Sequence, residues 1–298
     1  MTASLERVGS AIEVKEKDAA PDDLRLWSVT TILSVLDKPG LLYWAAEQAA
    51  LAAVRMAKSL PTRIEEDGAA TVVKTLRDAR FQRPKDSLSD SEFGTQCHAL
   101  AEEYTLTGVR PTPTREVFMD DLDAAVACMD RHDELLQKWD PTFLATEVTL
   151  YNETYRYAGQ TDGFAAWGGV DVVYDYKFSK KSYNAQGKPT ELYPEVAAQL
   201  AAYRFAEFAA VWRARRFSKY SKRYYLLNAA EREMALPVPK VEGGLGIKIT
   251  PEHATAYPVR CDEHVFDCFL YIMECARWMF DVAPGVIGEP LTLPEVAA

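Results

Sequence analysis

Cysteine and histidine are scarce in this chain, with five and four copies in 298 residues. The cysteines are odd in number and far apart, which argues against the disulfide framework that staples small secreted domains. No apolar run approaches the roughly 20 residues that span a bilayer. The opening stretch, MTASLERVGSAIEVKEKD, is polar and charged, unlike a secretory leader. A cytoplasmic protein with no membrane part is expected. Also missing is any G-x-x-x-x-G-K-[ST] stretch, so the sequence carries no phosphate-cradling loop and no ATP-driven motor of its own. Positive charge is in deficit too: the formal net charge is −10. That argues against a surface that coats nucleic acid everywhere, while leaving room for a local basic groove.

What remains is a chain that is 48% hydrophobic, enough to bury a sizeable core. It has no internal repeat and no low-complexity linker. Residues 1–21 read as a disordered arm rich in charge, and 291–298 as a tail. The pattern predicts one α+β domain over 22–290. Its mainly helical part, 22–140, begins with a helix capped by Ser28, followed by one opened by Pro39. A third helix is predicted through TRIEEDGAATVVKTLRDARF. A fourth starts near Ser91 and stops at Gly108, and a long fifth runs from Arg115 to Lys138.

Between 141 and 230 the period changes. FLATEVTLY, YRYAGQTDGFAAW and VDVVYDYKF are short and rich in β-branched and aromatic residues, with Asn152 and the Gly168-Gly169 pair at the turns. A three-strand meander is expected, then a helix over residues 194–216 and a strand at KRYYLLN. Over 231–290, VEGGLGIKIT suggests a β-addition, and CDEHVFDCFLYIMECARWMF an amphipathic closing helix.

In the last meander strand, period-2 geometry turns Val170, Val172, Tyr174 and Tyr176 one way, and Asp171, Val173, Asp175 and Lys177 the other. An acid and a lysine two apart mean little alone. With 44 acids and 15 lysines, chance gives about two such triplets. The surroundings add weight. Asp162, after Gly159 on the preceding strand, is placed where it could face Asp175 across about 5 Å. Two converging carboxylates repel unless a cation lies between them, and hard oxygen donors select Mg²⁺ or Mn²⁺. Downstream, Gln199 and Tyr203 stand at i and i+4 on one helix face. Upstream, His98 lies on a helix able to dock beside the meander.

The ordered set His98, Asp162, Asp175-x-Lys177 and Gln199-x-x-x-Tyr203 resembles the RecB-like exonucleases of the PD-(D/E)XK nuclease superfamily. The likeness is greatest to the stand-alone phage and CRISPR-associated kinds and spans roughly residues 28–282. It implies a restriction-endonuclease-like core, a mixed sheet with an antiparallel meander flanked by helices, and metal-dependent hydrolysis of DNA from its ends. It further implies that His98, Asp162, Asp175 and the backbone carbonyl of Tyr176 hold Mg²⁺ or Mn²⁺. In the same reading Lys177 serves the attacking water, while Gln199 and Tyr203 position the DNA end. Glu147 matches a glutamate often found before the hairpin. The partner would be linear DNA, with a helicase or single-strand annealing protein as a separate chain.

For DNA contact the candidates are Lys180 and Lys181, beside the metal strand, and Arg215 and Arg216 in VWRARRFSKYSKRYY. That stretch interleaves cations with aromatics, as a single-strand platform does. It also suits a basic helix end above core aromatics. Some relatives hold an iron–sulfur cluster. Here Cys261, Cys268 and Cys275 stand seven apart, about 10.5 Å per step on a helix, too far for one cluster. They are expected instead to form a buried stripe, and no cluster is expected.

Overall fold

The computed structural model describes residues 25–36, 39–79, 86–184, 187–210, 217–218 and 222–288. The arm, the tail, Arg215 and Arg216 lie outside them. Among the described residues no helix is long and apolar enough to cross a membrane.

The chain opens with strand β1 (Arg25–Ser28), which the sequence reading does not include; the expected helix follows with Ser28 at its N-cap, but only as the short α1 (Val29–Leu33). Then come α2 (Pro39–Met56), α3 (Leu60–Asp67) and α4 (Ala69–Asp78). The single helix expected across the last two is broken by Gly68, whose φ of 81° no helix interior accommodates. Helix α5 (Asp90–Thr107) is capped at Ser89, two residues before Ser91, because Ser89 and Glu92 form a reciprocal capping box. Gly108 ends it in the left-handed conformation. The long helix expected from Arg115 is also divided. It comprises α6 (Arg115–Phe118), a 3₁₀ turn (Met119–Asp121) and α7 (Leu122–Trp139), with Met119 at φ 53°.

The meander follows as β2 (Thr142–Asn152), β3 (Tyr157–Trp167) and β4 (Val170–Phe178). After it, α8 (Glu195–Arg204) is half the expected length. Asn152 takes the Phe205 carbonyl on its side-chain amide, and Glu207 N–H donates to the Tyr151 carbonyl. These contacts pull the chain out of the helix and into β5 (Phe208–Ala210) beside β2. Next come β6 (Phe217–Ser218), β7 (Arg223–Tyr225), α9 (Ala229–Glu233) and β8 (Leu236–Pro237). The Gly-rich segment forms β9 (Gly243–Ile249), hairpinned to β10 (Ala254–Val259). Helix α10 (Glu263–Arg277), capped by Asp262, closes the fold and runs into a π turn (Trp278–Val282).

The result is an α+β structure with a mixed central sheet flanked by helices. The strands run β10-β9-β4-β3-β1-β7-β6, and β2, β5 and β8 extend from the other edge of β3. Two pairings are parallel, β1 with β3 and β4 with β9. One face carries α1, α8 and α10 over Val148, Leu150 and Val173. The other carries α5 and α7 over Val172, Tyr174, Tyr176 and Ile247. The alternation of β4 therefore divides it between two cores. A Cβ on Gly246 would lie 2.5 Å from Leu192 Cδ1, and one on Gly244 3.0 Å from Leu200 Cδ1, so small residues let α8 and the segment before it settle on β9.

The expected cysteine stripe is only partly internal. Cys261 is buried, but Cys268 and Cys275 are exposed. Helix α10 turns Phe266, Phe269, Met273 and Ala276 inward, and a seven-residue step from Cys261 falls on its opposite face.

Candidate active site

One edge of β3 is shared. At its start Tyr157 and Ala158 pair with β1, and residues 163–167 pair with β4. Residues 159–162 lie at the fork between those two ladders. Asp162 thus sits one step beyond the end of the β3–β4 pairing, so it does not face Asp175 as a ladder partner. Its carboxylate reaches along β4 instead. Oδ2 accepts the backbone N–H of Tyr176 at 2.5 Å, and Oδ1 lies 3.2 Å from His98 Nδ1. Helix α5 delivers that imidazole, whose ring packs edge-on against Phe178 with centroids 5.3 Å apart.

Asp175 is buried on the α8 side. Gln199 Nε2 donates to its Oδ1 at 3.0 Å, and Lys177 Nζ stands 2.5 Å from Oδ2 in an ion contact. Lys177 also donates to Gln199 Oε1 at 3.3 Å, and the Gln199 amide reaches the Tyr203 hydroxyl at 3.2 Å. The i,i+4 pair on α8 is therefore a brace under the strand rather than a surface for DNA. Tyr203 is only 1% exposed and cannot meet a DNA end. A Cβ at Gly159 would come within 2.7 Å of the Tyr203 ring, so glycine is what admits that ring.

Charge is finely balanced here. Burial disfavours a charged His98, but the Asp162 carboxylate outweighs it and holds the imidazole pKa above its usual value. Burial alone would raise Asp162, yet His98, Lys177 and the Tyr176 N–H hold it low. For Asp175 burial prevails and lifts the carboxyl, with Asp162 adding to the effect. Burial opposes charge on Lys177, but Asp175 and Asp162 outweigh it and keep the ammonium protonated. Glu147, at φ 53° and hydrogen-bonded by Gln160, is pushed up to about 8 by burial, then by Asp162 and Glu102.

Asp162, Asp175 and the Tyr176 carbonyl are hard oxygen donors, His98 adds a nitrogen, and this set suits Mg²⁺ or Mn²⁺. Burial is the main cause of the raised Glu147 carboxyl, and the further share that Asp162 and Glu102 add is what a divalent cation would relieve. Among the described residues, however, no three His, Cys, Asp or Glu side chains converge as a metal-holding group. The carboxylates are closed onto His98, Lys177, Gln199 and the Tyr176 N–H. The donors fit by chemistry and neighbourhood, with their side chains paired to one another.

Other expected contacts fall elsewhere. Lys180 is spent on structure: its Nζ meets the Leu88 carbonyl at 2.5 Å, Ser87 Oγ at 3.1 Å and Asp121 at 3.3 Å, tying the segment before α5 to the 3₁₀ turn. Lys181 is exposed. Around the cation-rich stretch, Tyr224 and Tyr225 are core residues, and Arg223 lies 3.8 Å over the Trp27 ring while pairing with Asp281 at 2.6 Å. Two residues near the fork escaped sequence reasoning. Glu102 was marked only by standing one turn after His98, and Gln160 only by its place beside Asp162.

No protein-family model and no curated protein matches the sequence. Solved structures similar to it include one titled "Crystal structure of SSO0001", at 11% identity and a TM-score of 0.28, covering 67% of this chain and 79% of that one. A likeness that low carries no argument.

Proposed function

We propose that this chain is a RecB-like DNA exonuclease of the PD-(D/E)XK superfamily, built on a restriction-endonuclease-like core and dependent on Mg²⁺ or Mn²⁺. The observation that carries the reading is the Asp175–Lys177 contact of 2.5 Å on β4, set beside Asp162 at the fork of the sheet. A divalent cation held by Asp162, Asp175, the Tyr176 carbonyl and His98, with Glu147 close by, would supply Lewis acidity to the scissile phosphate.

The protein's own groups do the rest. Lys177 remains an ammonium; it has three donors and no lone pair, so it orients a water or a phosphate oxygen rather than binding a cation. Gln199 touches both Asp175 and Lys177 and fixes their spacing, and Tyr203 fixes Gln199. In hydrolysis one P–O bond forms from water and one breaks. A positioned ammonium stabilises the charge that accumulates on the phosphate oxygens between those events. The absence of a motor motif agrees with a nuclease that works on ends exposed by other proteins in recombination, repair or phage DNA processing.

The test is digestion of linear, nicked and covalently closed circular DNA with Mg²⁺, with Mn²⁺ and with excess EDTA. An exonuclease degrades the linear form, leaves the closed circle intact and stops in EDTA. Cutting of the closed circle would identify an endonuclease on the same fold. No cleavage under any condition would leave a DNA-binding or assembly role.

A further inference from the structure

Strands β4 and β9 pair in parallel, so their carboxyl ends lie together, and each has a lysine as its penultimate residue. Lys177 and Lys248 are register partners there, with backbones about 5 Å apart. By alternation Lys248 shares the α8 side of the sheet with Gly246, whose Cβ position faces Leu192 and Val196. Like charges side by side on adjacent strands repel. No acid stands in register to balance them: the partner of Lys248 on β10 is Thr255, and two residues away along its own chain are Gly246 and Thr250.

The neighbouring cations are engaged by the protein. Lys177 lies against Asp175 and Gln199, and Lys180 against the Leu88 carbonyl, Ser87 and Asp121. Lys248 is half-buried, yet among the described residues its ammonium has no hydrogen-bond or ion-pair partner. Asp90, the nearest source of negative charge, stands 4.0 Å from Lys180 instead. Burial and then the Lys177 charge lower the Lys248 pKa, against the smaller opposing pull of Cys128 and Asp90. A bound anion offsets both effects.

We infer that Lys248 is a phosphate-binding residue, whose ammonium holds the backbone of the DNA strand that Lys177 serves at the scissile phosphate. The inference rests on the nuclease reading and adds a substrate contact to it. Phosphates follow one another closely along a strand, so a strand that brings one to Lys177 brings the next to the adjoining register position. A lysine binds phosphate as a point charge and reads no base, so the contact is independent of sequence.

Fluorescence anisotropy of end-labelled single-stranded and duplex DNA, in excess EDTA over a salt series, measures binding apart from cleavage. Lys248→Met keeps the apolar stem and removes the charge. It should weaken binding about tenfold. The slope of log affinity against log salt should fall by about 0.7 to 0.9, the share of one phosphate. Lys248→Arg should recover most of both. With Mg²⁺, the loss in the nuclease assay should fall on KM rather than kcat. The urea midpoint of Lys248→Met should equal or exceed that of wild type, because a repulsion has been removed. An unchanged salt slope, or a loss of affinity that Lys248→Arg does not recover, would overturn the inference and leave the nuclease reading standing. Inorganic phosphate should compete no better than chloride at equal ionic strength. Selective competition that disappears in Lys248→Met would assign the site to free phosphate and overturn the backbone contact. A wild-type chain that binds no DNA would overturn both readings.

Discussion

Gln199 donates a hydrogen bond of 3.0 Å to Asp175, joining helix α8 to strand β4 at the point where the proposed chemistry takes place. The same side chain accepts from Lys177, so one amide sets the positions of a carboxyl group and an ammonium on a neighbouring element. Replacing it by alanine leaves the Asp175 Oδ1 atom buried without that donor, which typically costs about 1–3 kcal/mol. Gln199→Ala should unfold at lower denaturant concentration than wild type and should lose nuclease rate. Gln199→Glu, which keeps the volume but sets a second carboxylate against Asp175, should be worse than alanine. Urea titration beside a nuclease assay ranks the three proteins.

Lys177→Ala and Asp175→Ala should separate two roles. Loss of a positioned electrostatic donor typically costs about 10²–10³ in rate. Lys177→Ala is therefore expected to keep its fold and Mn²⁺ affinity while losing most cleavage. Asp175→Ala should lose cation affinity as well. Calorimetric Mn²⁺ titration of both variants draws the contrast, and near-normal cleavage by Lys177→Ala would remove the active site from β4.

Gly159 and Tyr203 are coupled by contact. An alanine Cβ at 159 would lie 2.7 Å from the Tyr203 ring and 2.9 Å from Val29 Cγ2. Overpacking of this kind costs about 1–3 kcal/mol. Gly159→Ala should destabilise by that order, and adding Tyr203→Val should recover part of the loss. Additive effects in the double variant would show that the two positions do not press on one another.

His132, on α7, is fully buried behind Tyr176, and neither of its ring nitrogens has a hydrogen-bond partner. Burial lowers its pKa to about 4. An unfolded histidine takes up its proton near 6.5, so stability present above that pH is lost as pH falls toward 4, by on the order of 3 kcal/mol. His132→Phe should flatten this acid limb while leaving stability near pH 7 equal or higher, since two orphaned nitrogens disappear. Chemical denaturation at pH 4 to 8 measures both. An unchanged acid limb would place the sensitivity elsewhere.

Period-2 alternation was enough to put Asp175 and Lys177 on one face of β4, because successive side chains of a strand must point to opposite sides. The turns at Asn152 and Gly168-Gly169 were equally local, as was the i,i+4 placing of Gln199 and Tyr203. Long-range competition decided the rest. Arg25–Ser28 became strand because β3 and β7 offered ladder partners on either side. Helix α8 stopped at Arg204 because Asn152 and Tyr151, some fifty residues away, took its following backbone groups. Lys180, a free cation by sequence, was drawn to the Leu88 carbonyl and Asp121 on a distant segment. Gln199 and Tyr203 were legible as a pair, but not as a brace, since that depended on the depth at which α8 settles over glycines of β9. The sides of α10 followed the same logic. Spacing fixed which residues share a stripe, whereas the position of the sheet decided that Phe269 goes inward and leaves Cys268 and Tyr271 in solvent.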